Sequence, residues 1–364
     1  MGEATVIILH PPPVGSGALT ELLHEAHRRL AEAHADRFTR AGATDVRIDR
    51  RPRSLRLEDR LDELAAAYRG RGLVLLGAGS VPRLTTADAS RLIGIAAGGG
   101  RRAATNNRAS SDIIAVSDAH LLAGLVGADS DNVLPRRLAG RGVQVIELPG
   151  RERLALDLDT PLDIALASLA RETPRAVRGL ARERGLAVPR IEPLRALSAD
   201  PRRELLVFGR SSARTLAWLE RHTACRVRFL AEERGLRTAT PGQRPPRATL
   251  GRLLADRGPQ ALAAIIGELA DGALLDTRVL LADRFGPGAE RWPTDEDRFA
   301  SDLLHPDEVV DPWLRALTAA ASDAAIPIIL GGHTLVSSGP RLMLGAPREG
   351  PTRALRSARI GGDR

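Results

Sequence analysis

Leu73-Val74-Leu75-Leu76 is a continuous apolar run. A strand buried on both faces of a parallel sheet needs such a run, because neither face meets water. Residues 6–9 read as a second buried strand, and residues 45–48, 113–116 and 143–148 as further ones. Helical stretches separate them. Residues 18–41 place Leu19, Leu22, Leu23, His27, Leu30 and Ala33 on one side, the spacing of an amphipathic helix. Residues 57–68 repeat the pattern with Leu57, Leu61, Leu64 and Ala65. Another helix starts at Thr86-Ala87-Asp88 and stops at Gly98-Gly99-Gly100, and residues 131–139 form the next. This alternation predicts an α/β fold with a doubly wound, mostly parallel sheet.

Leu156-Asp157-Leu158-Asp159-Thr160-Pro161-Leu162-Asp163 follows the fifth of these strands. Two carboxylates at i and i+2 on an extended segment share a face. Thr160 suits an N-cap and Pro161 a first helical position, so a helix over residues 162–171 is expected. Asp157 and Asp159 then lie at a strand-to-helix crevice, where open α/β sheets bind ligands. Two hard oxygen donors there suit Mg²⁺ carrying substrate phosphates. The bland alternative has Asp159 capping the helix and Asp157 pairing with an Arg.

The Asp-Leu-Asp-Thr-Pro segment resembles the late motif of the MobA-like nucleotidyltransferases. That group includes molybdenum-cofactor guanylyltransferases and 2-phospho-L-lactate guanylyltransferases. Residues 73–85, from Leu73 through Gly77-Ala78-Gly79-Ser80-Val81-Pro82 to Thr85, resemble the family's central strand and turn. The two motifs are in the family's order and cover the N-terminal half, roughly residues 4–175. The resemblance implies a GT-A-like sheet, an NTP substrate, a phosphorylated acceptor and Mg²⁺ or Mn²⁺ as cofactor. It also implies that Asp157 and Asp159 hold the metal, and that Gly77 and Ser80 line the nucleotide site.

The chain departs from the family in three places. Ser80 stands where the family has a metal-binding Asp. The first strand runs into His10-Pro11-Pro12-Pro13-Val14-Gly15-Ser16-Gly17, and three prolines offer no backbone N–H to a phosphate. Gly15, Ser16 and Gly17 still precede a helix N-terminus, where amides favour anions. The family's loop Lys is missing, and all 53 basic residues of the chain are Arg. Arg stays protonated, which excludes a Schiff-base or general-base Lys and leaves charge clamping.

At 364 residues, two domains are expected: residues 1–185 nucleotidyltransferase-like, 186–200 a proline-spaced linker, 201–344 a second α/β domain of unrecognised type, and 345–364 an Arg-rich tail. The net charge of +8 includes +3 from the tail, five Arg against Glu349 and Asp363, leaving +5 elsewhere. With aromatics at 2%, no stacking platform for bases exists, so nucleic acid is not an expected partner. The single cysteine, Cys225, excludes an internal disulfide and a Cys-based zinc cluster. No signal-peptide pattern or 18-residue apolar run is present, so a cytoplasmic protein that does not enter a membrane is expected.

Other candidates are weaker. Asn106, Asn107 and Arg108 precede the strand at 113–116 and suit contacts to a base, sugar or phosphate. A polar turn explains them equally. Asp129, Asp131 and Asn132 read as a helix-start loop. His24, His27 and His34 lie on the first long helix without zincin spacing, while His10 ends the first strand. Gly209-Arg210-Ser211-Ser212 resembles an anion cradle or a routine N-cap. Asp276, Arg278, Asp297, Arg298 and Asp302 read as ion pairs or, with His333, as a second pocket. Three functions remain open: nucleotidyl transfer with Mg²⁺, a catalytically degenerate nucleotide- or partner-binding module, and a site wholly within the C-terminal half.

Overall fold

The computed structural model describes residues 2–52, 57–125, 133–150, 152–233, 236 and 244–345. The fold is mixed α/β with mostly parallel sheets. The first sheet comprises β1 (Ala4–Leu9), β2 (Asp45–Asp49), β3 (Gly72–Gly77), β4 (Arg102–Thr105), β5 (Ile113–Val116) and β6 (Gln144–Glu147). Their order is β2-β1-β3-β5-β4-β6, with β5 antiparallel to both neighbours and the other pairs parallel.

Strand period two explains how this sheet is covered. Val6, Ile8, Val74 and Leu76 face α1 (Ala18–Arg40), and they share a core with Ala31 and Phe38. Ile7, Leu73 and Leu75 face the other way, against Leu61 and Leu64 of α2 (Leu57–Ala67). Helix α3 (Thr86–Ala96) joins the first face, and α4 (Leu134–Gly140) the second. Helix α3 begins with a capping box: Thr85 accepts from the Asp88 N–H, and the Asp88 carboxylate accepts from the Thr85 N–H at 2.8 Å.

Helices α5 (Pro161–Ser168), α6 (Arg175–Glu183) and α7 (Ile191–Ser198) lead to the second sheet. Its strands are β7 (Glu204–Gly209), β8 (Arg226–Ala231), β9 (Gly272–Asp276) and β10 (Ile328–Gly331), all parallel in the order β10-β9-β7-β8. Helices α8 (Ala213–His222), α9 (Thr249–Arg257), α10 (Leu262–Leu269), α11 (Thr277–Phe285), α12 (Asp295–Asp302), α13 (Pro312–Asp323), α14 (His333–Ser337) and α15 (Gly339–Met343) accompany it.

The expected exposed linker over residues 186–200 takes a different form. It contains α7, whose Leu194 and Leu197 are buried with Val188 against Leu205 and Val207 of β7. Apolar residues spaced three apart on one helix face drove this segment into the core, which its prolines did not prevent. Helix α5 joins the two halves. Leu162, Ala165 and Leu166 pack on the second sheet, whereas Ile164 and Ala167 pack with Leu22, Ala26 and Leu30 of α1. Two further differences concern strands. Strand β4, just before the polar turn at Asn106 to Arg108, was not expected. Strand β9 was not expected either, because a short apolar run between apolar helices has no period of its own. The tail beyond Gly345 lies outside the described residues.

Candidate functional site

The antiparallel strand decides which side chains meet. Leu76 of β3 lies opposite Ile113 of β5, so the start of β5 and the carboxyl ends of β1 and β3 share one sheet edge. Asp112, immediately before β5, therefore arrives beside the turn that follows Gly77. Asn106, buried at the end of β4, fixes it. Its Nδ2 donates to Asp112 Oδ2 at 2.6 Å and to Leu154 O at 2.8 Å, while its Oδ1 accepts from the Asp112 N–H at 3.0 Å.

The turn after β3 is held from two directions. Ser80 N–H donates to Gly77 O at 3.1 Å. A Cβ on Gly79 would stand 2.5 Å from His27 Nε2, so helix α1 approaches where only glycine fits. Val81 has φ 46°, a left-handed conformation that a β-branched residue avoids, at a cost of about 1–3 kcal/mol. Its N–H donates to Asp157 Oδ1 at 3.2 Å.

The Asp-Leu-Asp segment crosses this turn. Ser80 and Asp157 form an isolated antiparallel bridge, and Leu158 N–H donates to Gly79 O at 2.9 Å. Two histidines of α1 pin both strands of the crossing. His27 Nε2 donates to Leu158 O at 2.6 Å, and His34 Nε2 to Ser80 O at 3.0 Å. His34 is fully buried, and burial followed by the charge of Arg37 lowers its pKa to about 3. His34 Nδ1 then accepts from Arg37 at 3.2 Å, which the neutral Nε2–H tautomer allows. His10 stacks on His24 with ring centroids 4.4 Å apart, and burial together with the charge of His24 lowers the pKa of His10 to about 4.

Asp157 and Asp112 share a side-chain hydrogen bond. Burial, then the charges of Asp112 and Asp159, hold the Asp157 carboxyl well above the usual carboxylate range. Two adjoining carboxylates are stable when they share one proton or one cation. Asp159 is exposed at the rim. Asp112 and Asp157 offer two carboxylates, oxygen donors of the kind that a Mg²⁺ or Mn²⁺ keeping most of its shell for water and phosphate would take. Among the described residues no group of three or more His, Cys, Asp or Glu could hold a metal ion, so these residues offer a cation at most this pair.

The C-terminal half supplies the opposite wall of a cleft of about 1530 Å³. Arg210, Arg278, Arg298 and His333 line it together with His10, Ser80, Asp112, Asp157, Asp159 and Asp163. Arg278 makes a two-pronged pair with buried Asp302, and Arg210 with buried Asp276, at 2.6 and 3.1 Å. Arg278, Arg298 and His333 line the cleft, while Asp276 and Asp302 make the ion pairs and do not; Arg210, read from the sequence as part of an anion cradle or N-cap, is instead the ion-pair partner of Asp276.

Several expected ligand groups are committed elsewhere. The amides at the N-terminus of α1 do not face an open phosphate site. Glu296 of α12 occupies them, its carboxylate accepting from Thr20 N–H at 2.6 Å and Leu19 N–H at 3.2 Å. A Cβ on Gly17 would fall 2.2 Å from Glu296, so Gly17 is needed for this contact, and Gly15 and Ser16 stand exposed beside it. Asn106 positions Asp112 and has no free amide for a base. Asn107 Oδ1 accepts from the Ala109 N–H at 2.9 Å, a local turn, although the residue borders the cleft. Arg108 is exposed, its N–H bonded to Glu147. Gly77 starts the turn that carries Ser80 and does not line the cleft. In the proposed anion cradle, Ser211 Oγ donates to Val336 O and Ser212 caps α8, so neither hydroxyl is free. Asp129, Asp131 and Asn132 lie outside the described residues.

Asp112 and Glu296 escaped the sequence reading. Asp112 follows two serines and looks like loop polarity until the direction of β5 is known. Glu296 acts across 277 positions of chain, which no local pattern signals. No protein-family model matches the chain, and no curated protein is significantly similar to it.

Proposed function

We propose that the protein binds a nucleoside triphosphate with Mg²⁺ or Mn²⁺ in this cleft and transfers its nucleotidyl group to a phosphorylated small molecule, as the resemblance to MobA-like nucleotidyltransferases implies. The observation that carries the reading is the Asp112–Asp157 carboxylate pair at the sheet edge. Asp112 supplies the acid that Ser80 lacks, and the strand order of the first sheet is compatible with a GT-A-like arrangement. Asp112 and Asp157 would hold the metal, which supplies charge neutralisation for the phosphates. Asn106 and the Val81 N–H orient the two carboxylates. Arg210, Arg278 and Arg298 line the opposite wall, each paired with an Asp, and the enclosing halves limit water. Such a transfer needs positioning and electrostatics, not a protein nucleophile or a Lys. An acceptor phosphate oxygen attacks the α-phosphorus, and pyrophosphate leaves.

One observation favours a second reading, a nucleotide-binding module without turnover. Glu296 fills the α1 amides that would otherwise receive phosphate. A panel of the four common NTPs with Mg²⁺ or Mn²⁺, read by thermal unfolding, separates binding from no binding, since a ligand of the native state raises the melting temperature. Pyrophosphate release with phosphorylated acceptors then separates transferase from binder. No metal-dependent stabilisation by any NTP contradicts both readings. No described helix is long and apolar enough to cross a membrane.

A further inference from the structure

A strap of chain reaches from the C-terminal half to the mouth of the cleft. It runs over residues 286–298, from the end of α11 into α12, and Pro287, Ala289, Trp292, Asp295 and Arg298 line the cleft. Among the described residues, the hydrogen bonds of residues 287–295 stay within the strap. Arg291 N–H donates to Gly288 O at 3.1 Å, Trp292 N–H to Ala289 O at 3.2 Å, and Trp292 Nε1–H to Gly286 O at 2.8 Å. Pro287, Ala289, Glu290 and Arg291 are exposed. A segment bonded to itself opens more readily than the sheets beside it. Two neighbouring carboxylates at its far end bind different halves. Asp297 is buried and accepts from the Val310 and Asp311 N–H groups at 2.6 and 3.3 Å, which roots α12 in the C-terminal half. Glu296 accepts from Thr20 and Leu19 N–H at 2.6 and 3.2 Å in the other half.

We propose that residues 286–298 form a lid over the cleft, latched shut by Glu296 on the α1 amides. A Ser, Thr or Asp at position 17 would cap α1 locally. Gly17 stands there instead, at φ 137° and without a side-chain cap, and a carboxylate 277 positions away in the chain does the capping. The cap of α1 is thereby tied to closure of the cleft. Release of Glu296 frees the strap between Gly286, at φ 94°, and the anchored Asp297, and widens the mouth that Pro12, Pro13 and Val14 line from the other side. The lid does not depend on what the cleft binds. Its part in retaining a nucleotide rests on the nucleotidyl-transfer reading.

The test is amide hydrogen exchange on the full chain. In the unaltered protein the Leu19 and Thr20 amides and those of Arg291 and Trp292 should exchange through one opening, with protection agreeing within about threefold and below that of β7 and β9. Glu296→Ala should speed exchange at both places about tenfold and leave β3 and β9 unchanged. Gly17→Ala is the second variant, because its Cβ would stand 2.2 Å from Glu296 and displace the carboxylate without removing it. Faster exchange at Leu19 and Thr20 alone would make Glu296 a plain helix cap and overturn the lid. Unlike protection at the two places in the unaltered protein would overturn it as well. Each of the four common NTPs with Mn²⁺ is then added. Stabilisation by an NTP without slower exchange of the strap would overturn the lid and leave the nucleotide reading standing. Coupled opening of the strap and the α1 amides, with no effect of any NTP, would keep the lid and count against the nucleotide reading.

Discussion

Ser80 and Asp157 pair across an isolated antiparallel bridge, which joins the turn after β3 to the acidic segment before α5. The bridge brings together residues 77 positions apart in the chain. It puts Ser80 directly beside Asp157. Ser80→Asp should therefore add a carboxylate to the Asp112–Asp157 pair and tighten Mn²⁺ binding at least tenfold, because hard cations respond to carboxylate number. Calorimetric titration of both proteins checks this, and equal affinities would remove Ser80 from the metal's surroundings.

Asp157→Asn should stabilise the metal-free protein while abolishing metal-dependent nucleotide binding. The substitution removes repulsion between Asp157 and Asp112 and keeps a hydrogen-bonding group. A gain of about 1 kcal/mol in urea unfolding near pH 8 is expected. A loss of stability instead would show that Asp157 serves the fold and not a ligand.

Gly79→Ala should cost about 1–3 kcal/mol. The added methyl meets the His27 ring at 2.5 Å and disturbs the bond from His27 to Leu158 O. Thermal unfolding measures the loss. Nucleotide binding should fall with it, because the same contact fixes the Asp157 segment.

The stability that His34 and His10 contribute should be lost on acidification below about pH 6.5, against an opposing gain from the raised carboxyls of Asp157 and Asp163. His34 and His10 are held neutral, with pKa values lowered from 6.5 to about 3 and about 4. Between those values and 6.5 the unfolded chain binds more protons than the native one. The stabilisation from their depressed pKa values is complete above 6.5 and is lost as pH falls towards 3. Each contributes a slope approaching about 1.4 kcal/mol per pH unit. His34→Gln should flatten the profile of unfolding free energy against pH. A profile unchanged by that substitution would place His34 in contact with solvent.

Much of the first sheet was legible because its strands are unbroken apolar runs and its helices have a clear 3.6-residue stripe. Thr160 and Pro161 start α5 where their capping chemistry predicts. What stayed hidden depends on strand direction and on distant chain. The antiparallel course of β5 brings Asp112 to the site, and nothing in Ile113 to Val116 encodes direction. The opposite wall comes from a half of the molecule whose arginines form ion pairs, so a local reading of them gives no cleft. The prolines at 189 and 193 suggested a linker, but Leu194 and Leu197 outweighed them. Trypsin should accordingly spare Arg190, whose guanidinium donates to Ala324 O at 2.6 Å and Ile326 O at 2.8 Å. Early cleavage there, seen by mass spectrometry, would contradict a shared core.

On the proposed function, Asp112 and Asp157 together take up a divalent cation. Binding a cation to a pair that holds a proton must release that proton. Calorimetric titration of Mn²⁺ in buffers of different ionisation enthalpy counts it directly. The account predicts release of up to one proton per metal bound, lost together with tight binding in both Asp112→Asn and Asp157→Asn. Metal binding of unchanged affinity in either variant, or binding with no proton released at any pH from 5 to 8, would contradict it.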